Sequence, residues 1–167
     1  LRQSPPGGCR KFVAVVVPVT SRKTDLHNVN STPFVLSCFP TAVASLVHST
    51  DVKYDVAFYV GYDAGDAVWN TNIARRSIVQ TLQAHVDSVF ATNPRATEIG
   101  MSLRTIRCQS TSMVAATNCI ISQVYNDGAE YWYRVNDDSV FETGDWISGF
   151  NAALATFEPR EKPLTIN

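Results

Sequence analysis

Residues 130–154 read EYWYRVNDDSVFETGDWISGFNAAL, and the rest of the chain is laid out around them. Tyr131-Trp132-Tyr133-Arg134-Val135 is dense in aromatic and apolar residues, which predicts a buried strand. Asn136, Asp137 and Asp138 follow at its carboxyl end, then a short turn and a helix. The apolar face of that helix is Trp146, Ile147, Phe150, Ala153, Leu154 and Phe157. Two adjacent carboxylates at the end of a buried strand repel each other, and a divalent cation removes that repulsion. Oxygen ligands of this kind suit the hard ions Mg2+ and Mn2+. The plainer reading gives the acids to a turn, with one of them capping a helix.

The 167 residues amount to about one domain. A hydrophobic content of 45 % with 17 % charged residues is that of a globular protein with a core. The formal net charge of -1 gives no bulk electrostatic case for binding nucleic acid or a membrane surface. No apolar run approaches the roughly 20 residues of a membrane span. The first residues, LRQSPPGG, read as a trimmed stem, so residues 1–11 are expected to be a linker and residues 12–157 the folded domain. Residues 158–167 read as a loop leading into a further strand, Leu164-Thr165-Ile166-Asn167.

Along the chain, strand and helix patterns alternate. Phe12 to Val17 is a continuous apolar run of the kind buried on both faces in a parallel sheet. Ser31-Thr32-Pro33 predicts a helix start, with Pro40 interrupting a helix that runs to about His48. Tyr54 to Gly61 is the second strand, Asn70 to Phe90 a long helix broken at Asn93-Pro94, and Ile99 to Cys108 a third strand with one better-buried face. Ser110 to Asp127 is a helix closed by Gly128 in a left-handed cap. Repeated βα alternation predicts a Rossmann-like α/β sandwich: a mainly parallel sheet with helices on both faces.

Ligands of such sheets bind at the carboxyl ends of the strands. Three polar clusters fall there: Val19-Thr20-Ser21-Arg22, Asp63 with Asp66, and Asn136-Asp137-Asp138. Taken singly, Thr20 and Ser21 read equally as loop hydroxyls, and Asp63 and Asp66 as turn acids. Arg75 and Arg76 open a helix and read as surface residues. Trp69, Trp132 and Trp146 read as core or rim packing, and His27, His48 and His85 lack metal-ligand spacing. The four cysteines contain no C-x-x-C pair; Cys38 and Cys119 read as buried thiols, and Cys9 with Cys108 is one candidate disulfide pairing.

Three segments together resemble the nucleotide-sugar-binding half of a GT-A glycosyltransferase: V-V-V-P-V-T-S at the end of the first strand, D-V-A-F-Y-V-G-Y-D-A-G-D across the second, and V-N-D-D-S-V-F followed by a Trp-containing helix. The last is similar to the family's Asp-any-Asp metal motif, with Asn136 where the first acid often stands. The resemblance spans about Phe12 to Phe157. It implies that Asp138 is the direct ligand of Mn2+ or Mg2+, with Asp137 beside it on the ribose or a metal-bound water. Val19, Thr20 and Ser21 would lie against the base and ribose, Arg22 near the phosphates or base, and Asp63 on the base or ribose. The donor would be a nucleoside-diphosphate sugar, UDP ahead of GDP, and the acceptor a glycan, protein or lipid hydroxyl. A separate C-terminal polypeptide would complete the unit and supply the catalytic base. The compartment would be the Golgi or ER lumen in a eukaryote and the cytoplasm in a bacterium or virus. A second class of function stays open, a non-catalytic α/β module that binds a nucleotide or a protein. A metal-dependent phosphotransfer or hydrolase domain is disfavoured, since the chain has no G-x-x-x-x-G-K-[ST] phosphate loop.

Overall fold

The computed structural model describes residues 10–20, 34–50, 54–109 and 112–156. In chain order these form β1 (Lys11–Val19), α1 (Phe34–Ser49), β2 (Tyr54–Asp63), α2 (Asn72–Thr92), α3 (Pro94–Glu98), β3 (Gly100–Cys108), α4 (Met113–Asn126), β4 (Tyr131–Arg134) and α5 (Trp146–Thr156). The strand order is β3-β2-β1-β4, and all three pairings are parallel. The sheet is flanked by helices, the Rossmann-like sandwich that the βα alternation predicts.

β1 is central because its side chains are buried on both faces, from Val13 through Val19. Its odd-numbered valines join Phe39, Val43, Leu46 and Val47 of α1 and Ile78, Leu82 and Val86 of α2 in the larger core. Its even-numbered Ala14 and Val16 join Ala57, Tyr59, Ala116, Ile120 and Val124 in a smaller core under α4. α1 and α2 thus cover one face and α4 the other, as right-handed crossovers on either side of β1 require.

The packing corrects three expectations and extends one, the break at Asn93-Pro94, where α2 does end. α1 runs unbroken through Pro40, while its expected start at Ser31-Thr32-Pro33 lies outside the described residues. Proline in a helix interior costs about 3 kcal/mol. Burial of Phe39, Val43, Leu46 and Val47, at about 1.5–3 kcal/mol each, outweighs that. Second, the break at Asn93-Pro94 is a helix start as well: the Asn93 side chain accepts from the Arg95 N–H, and Pro94 opens α3. Third, β4 is not a buried strand; it lies at the sheet edge, alternates half-buried with exposed residues, and leaves Trp132 47 % exposed. Fourth, the apolar face of α5 is buried only at Trp146 and Ile147, while Phe150 and Leu154 stay more than half exposed.

The cysteine expectations also change. Cys108, at the end of β3, is bonded to Cys119 on α4, so Cys119 is not a thiol; Cys38 is half-buried on α1, and Cys9 lies outside the described residues. Sequence spacing does not fix connectivity, whereas the fold brings these two Cα atoms to 5.9 Å.

α4 approaches the sheet most closely at Gly61. A Cβ there would stand 2.2 Å from both Cδ1 and Cγ1 of the fully buried Ile120. Gly61→Ala is expected to lower stability by about 1–3 kcal/mol through overpacking. In urea titrations its cost should shrink in an Ile120→Val background, since the two changes share one space.

The far end of α4 is tied by charge. The Asp127 carboxylate accepts from the Tyr59 hydroxyl at 2.7 Å and from Gln123 Nε2 at 2.9 Å, and pairs with the Arg104 guanidinium. These donors, the Tyr59 hydroxyl foremost, hold the Asp127 carboxyl below its ordinary range. A carboxylate with a depressed folded-state pKa stabilises fully above its unfolded value, about 3.9, and that contribution fades as pH falls through the folded value. Melting curves from pH 6 downward are therefore expected to show an acid-dependent loss of stability that is smaller in Asp127→Asn.

Candidate functional site

Parallel pairing brings all four carboxyl ends of the strands to one edge of the sheet. In the registers Val19 pairs with Tyr62 and Asp63 with Cys108. On the other side of β1, Val16 pairs with Arg134, and the Val135 N–H donates to the Val16 carbonyl at 3.0 Å. Val19 and Asp137 each lie three residues beyond that pair. The edge therefore reads, in order, Cys108, Asp63, Thr20 and the Asn136-Asp137-Asp138 segment. Between β1 and β4 the connections run to opposite faces, and ligand crevices in open parallel sheets form at such a switch.

Asn136 to Ser139 is a closed turn. The Ser139 N–H donates to the Asn136 carbonyl at 3.2 Å, and the Asn136 N–H donates to Ser139 Oγ at 3.0 Å. Asp137 and Asp138 are its two central residues, so consecutive side chains leave it in different directions. Asp137 is 2 % exposed, whereas Asp138 and Asn136 are exposed. The plainer reading of the pair as turn residues is thus realised, and it leaves the Asp138 carboxylate facing outward.

The other expected residues divide by what they touch. Val19 is 2 % exposed, with its side chain in the larger core, so it offers a ligand only its backbone. Thr20 ends the described part of that segment and is half-buried; Ser21 and Arg22 lie outside the described residues. Asp63 Oδ1 accepts from the Gly65 N–H at 2.7 Å, and Asp66 Oδ1 from the N–H groups of Val68 and Trp69. Both acids therefore brace the turn after β2. That turn seats Trp69, fully buried and stacked on Tyr62 with ring centroids 4.7 Å apart. Arg75 reaches Asn72 Oδ1, and His48 is exposed on α1.

Sequence reasoning missed the residues that hold the acidic turn in place. Ser45 Oγ, on α1, accepts from the Phe141 N–H at 3.1 Å, and the Ser49 carbonyl accepts from the Asp145 N–H at 2.8 Å. Asp145 adopts φ 55°, left-handed backbone that Asp tolerates better than most residues. The Phe141 ring lies 4.8 Å from the Trp146 ring, which also packs edge-on against Tyr133. The segment after the acids is thus fastened to the helix that follows β1. A serine on the apolar side of α1 carries no distinguishing pattern in the sequence.

Among the described residues, no group of three or more His, Cys, Asp or Glu gathers to hold a metal ion. A cation shared with a diphosphate needs fewer protein ligands, because Mg2+ in such sites takes one or two carboxylates and fills the rest of its shell with phosphate oxygens and water. Of the two acids only Asp138, exposed on the turn, presents such a carboxylate. Among the described residues no helix is long and apolar enough to cross a membrane. No family model, no curated protein and no solved structure matches this chain.

Ser45→Ala is expected to leave the Phe141 N–H without its acceptor and to cost about 1–2 kcal/mol in chemical denaturation. Hydrogen exchange should speed up most at residues 139–145.

Proposed function

We propose that the carboxyl edge at β1 and β4 binds a nucleoside-diphosphate sugar and that the chain is a metal-dependent glycosyltransferase domain of GT-A type. The observation that carries this is the parallel β1–β4 pairing, which sets Thr20 and the Asn136-Asp137-Asp138 turn side by side. On this reading Asp138 holds Mn2+ or Mg2+ against the diphosphate, and the buried Asp137 orients the turn and meets the ribose or a metal-bound water. Asn136 stands in place of a second ligand acid. Val19 offers backbone groups, and Thr20 its hydroxyl, to the base and ribose, with Ser21, Arg22 and Asp63 as further candidates on the same edge.

The cation would neutralise charge that grows on the departing nucleoside diphosphate, with UDP ahead of GDP as the nucleotide. The residues of this chain would bind and orient the donor. The acceptor, a glycan, protein or lipid hydroxyl, and the base that activates it would come from chain beyond the described residues or from a separate polypeptide.

The self-closed turn, with Asn136 and Ser139 satisfying each other, supports a second reading: a non-catalytic α/β module that binds a nucleotide or a protein. One experiment separates the two. A ligand bound only by the native state raises Tm. Thermal melts with Mn2+ and UDP or GDP are expected to rise by several degrees only when metal and nucleotide are both present, and Asp138→Asn should abolish the rise without lowering the Tm of the free protein. A rise with nucleotide alone that survives Asp138→Asn would favour the binding module, and no rise with any nucleotide would exclude donor binding.

A further inference from the structure

The two edges of the sheet differ. β4 is four residues long, a length that blunts an edge against pairing. β3 is nine residues long, contains no proline, and matches β1 in length. Among the described residues, no strand pairs with the outer side of β3. An edge of that length presents a row of backbone donors and acceptors to another strand.

Beside this edge runs a groove of about 330 Å³, lined by Gln83, Val86, Asp87 and Phe90 of α2 and by Met101, Ser102 and Leu103 of β3. Its lining mixes the apolar Val86, Phe90, Met101 and Leu103 with the polar Gln83 and Ser102 and one charge, Asp87, whose Oδ1 accepts from Gln83 Nε2 at 2.9 Å. The groove therefore suits a side chain with an aliphatic stem and a cationic tip.

β3 itself carries such a side chain. Arg107 is registered with Tyr62, and Leu103 with Phe58, so Arg107 and Leu103 share the sheet face that α2 covers. Arg107 is exposed, and its guanidinium donates to Asn70 Oδ1 at 3.2 Å. We infer that β3 pairs antiparallel with β3 of a second copy of this chain about a two-fold axis normal to the sheet. A register that sets Thr105 opposite Thr105 places Arg107 of each copy opposite Leu103 of the other, at the mouth of the groove that holds Asp87. Centring one residue earlier would oppose Arg104 to Arg104, like charges face to face, and is disfavoured. The pairing is isologous, so the Arg107–Asp87 contact occurs twice. It joins the two sheets at the edge remote from β4 and leaves the β1–β4 edge open, so it is independent of the donor-binding reading.

Analytical ultracentrifugation of the full chain tests this, with circular dichroism to verify folding. The wild type is expected to sediment as a dimer at micromolar concentration. Asp87→Arg and Arg107→Asp, both exposed substitutions, should each weaken the dimer by about tenfold or more with unchanged spectra. The double variant, with the charges exchanged, should restore it. A wild type that stays monomeric, single variants that dimerise like wild type, or a folded double variant that fails to recover would overturn the proposal.

Discussion

β1 is the constraint on which the other elements depend. It hydrogen-bonds to strands on both sides and buries both of its faces, so each remaining element has one place to go. Seven consecutive buried residues admit no polar substitution without an unsatisfied group on one face or the other. Because its neighbours run parallel to it, the loops that follow β1, β2 and β4 emerge together. Residues 44 to 118 positions apart in sequence, Thr20 against Ala64 and Asp138, come to one edge by this single fact.

That edge holds two kinds of acid. Asp63 and Asp66 spend their oxygens on backbone N–H groups and shape the turn that carries Trp69. Asp137 and Asp138 occupy the centre of a turn closed by the residues flanking them, with Asp137 buried and Asp138 exposed. The contrast separates the acids that brace the turn after β2 from Asp138, whose carboxylate is exposed at that edge. The turn is held from outside by α1, through Ser45 and Ser49, so the helix after β1 and the loop after β4 form one support.

The layers and the order of elements were legible because hydrophobic periodicity reports burial directly. Phe12–Val17 could only be a strand covered on both faces, and Ile78, Leu82 and Val86 could only be one side of a helix. Edge position was not legible: Tyr131 to Val135 has the composition of a covered strand, but nothing local says that no described strand pairs with its outer side. The same blindness misjudged α5, whose Phe150 and Leu154 continue an apolar stripe that stays more than half exposed among the described residues, with Tyr133 of β4 against the Phe150 ring. The Cys108–Cys119 bond was hidden because connectivity depends on how α4 lies over β3. Ser45 was hidden because a hydroxyl that accepts one backbone N–H across 96 residues has no sequence signature. The acids of the edge were visible as residue types, while the separation of the turn-bracing Asp63 and Asp66 and the buried Asp137 from the exposed Asp138 required coordinates.

The three tryptophans report on three different parts of the molecule. Trp69 is sealed beneath the turn after β2 and Trp146 beneath the segment after the acids, and neither indole N–H finds an acceptor among the described residues. Trp132 faces solvent over nearly half its surface on the short edge strand. With Trp69 and Trp132 replaced by Phe, emission from Trp146, in contact with Phe141, becomes an optical gauge of whether the segment after the acids is latched to α1.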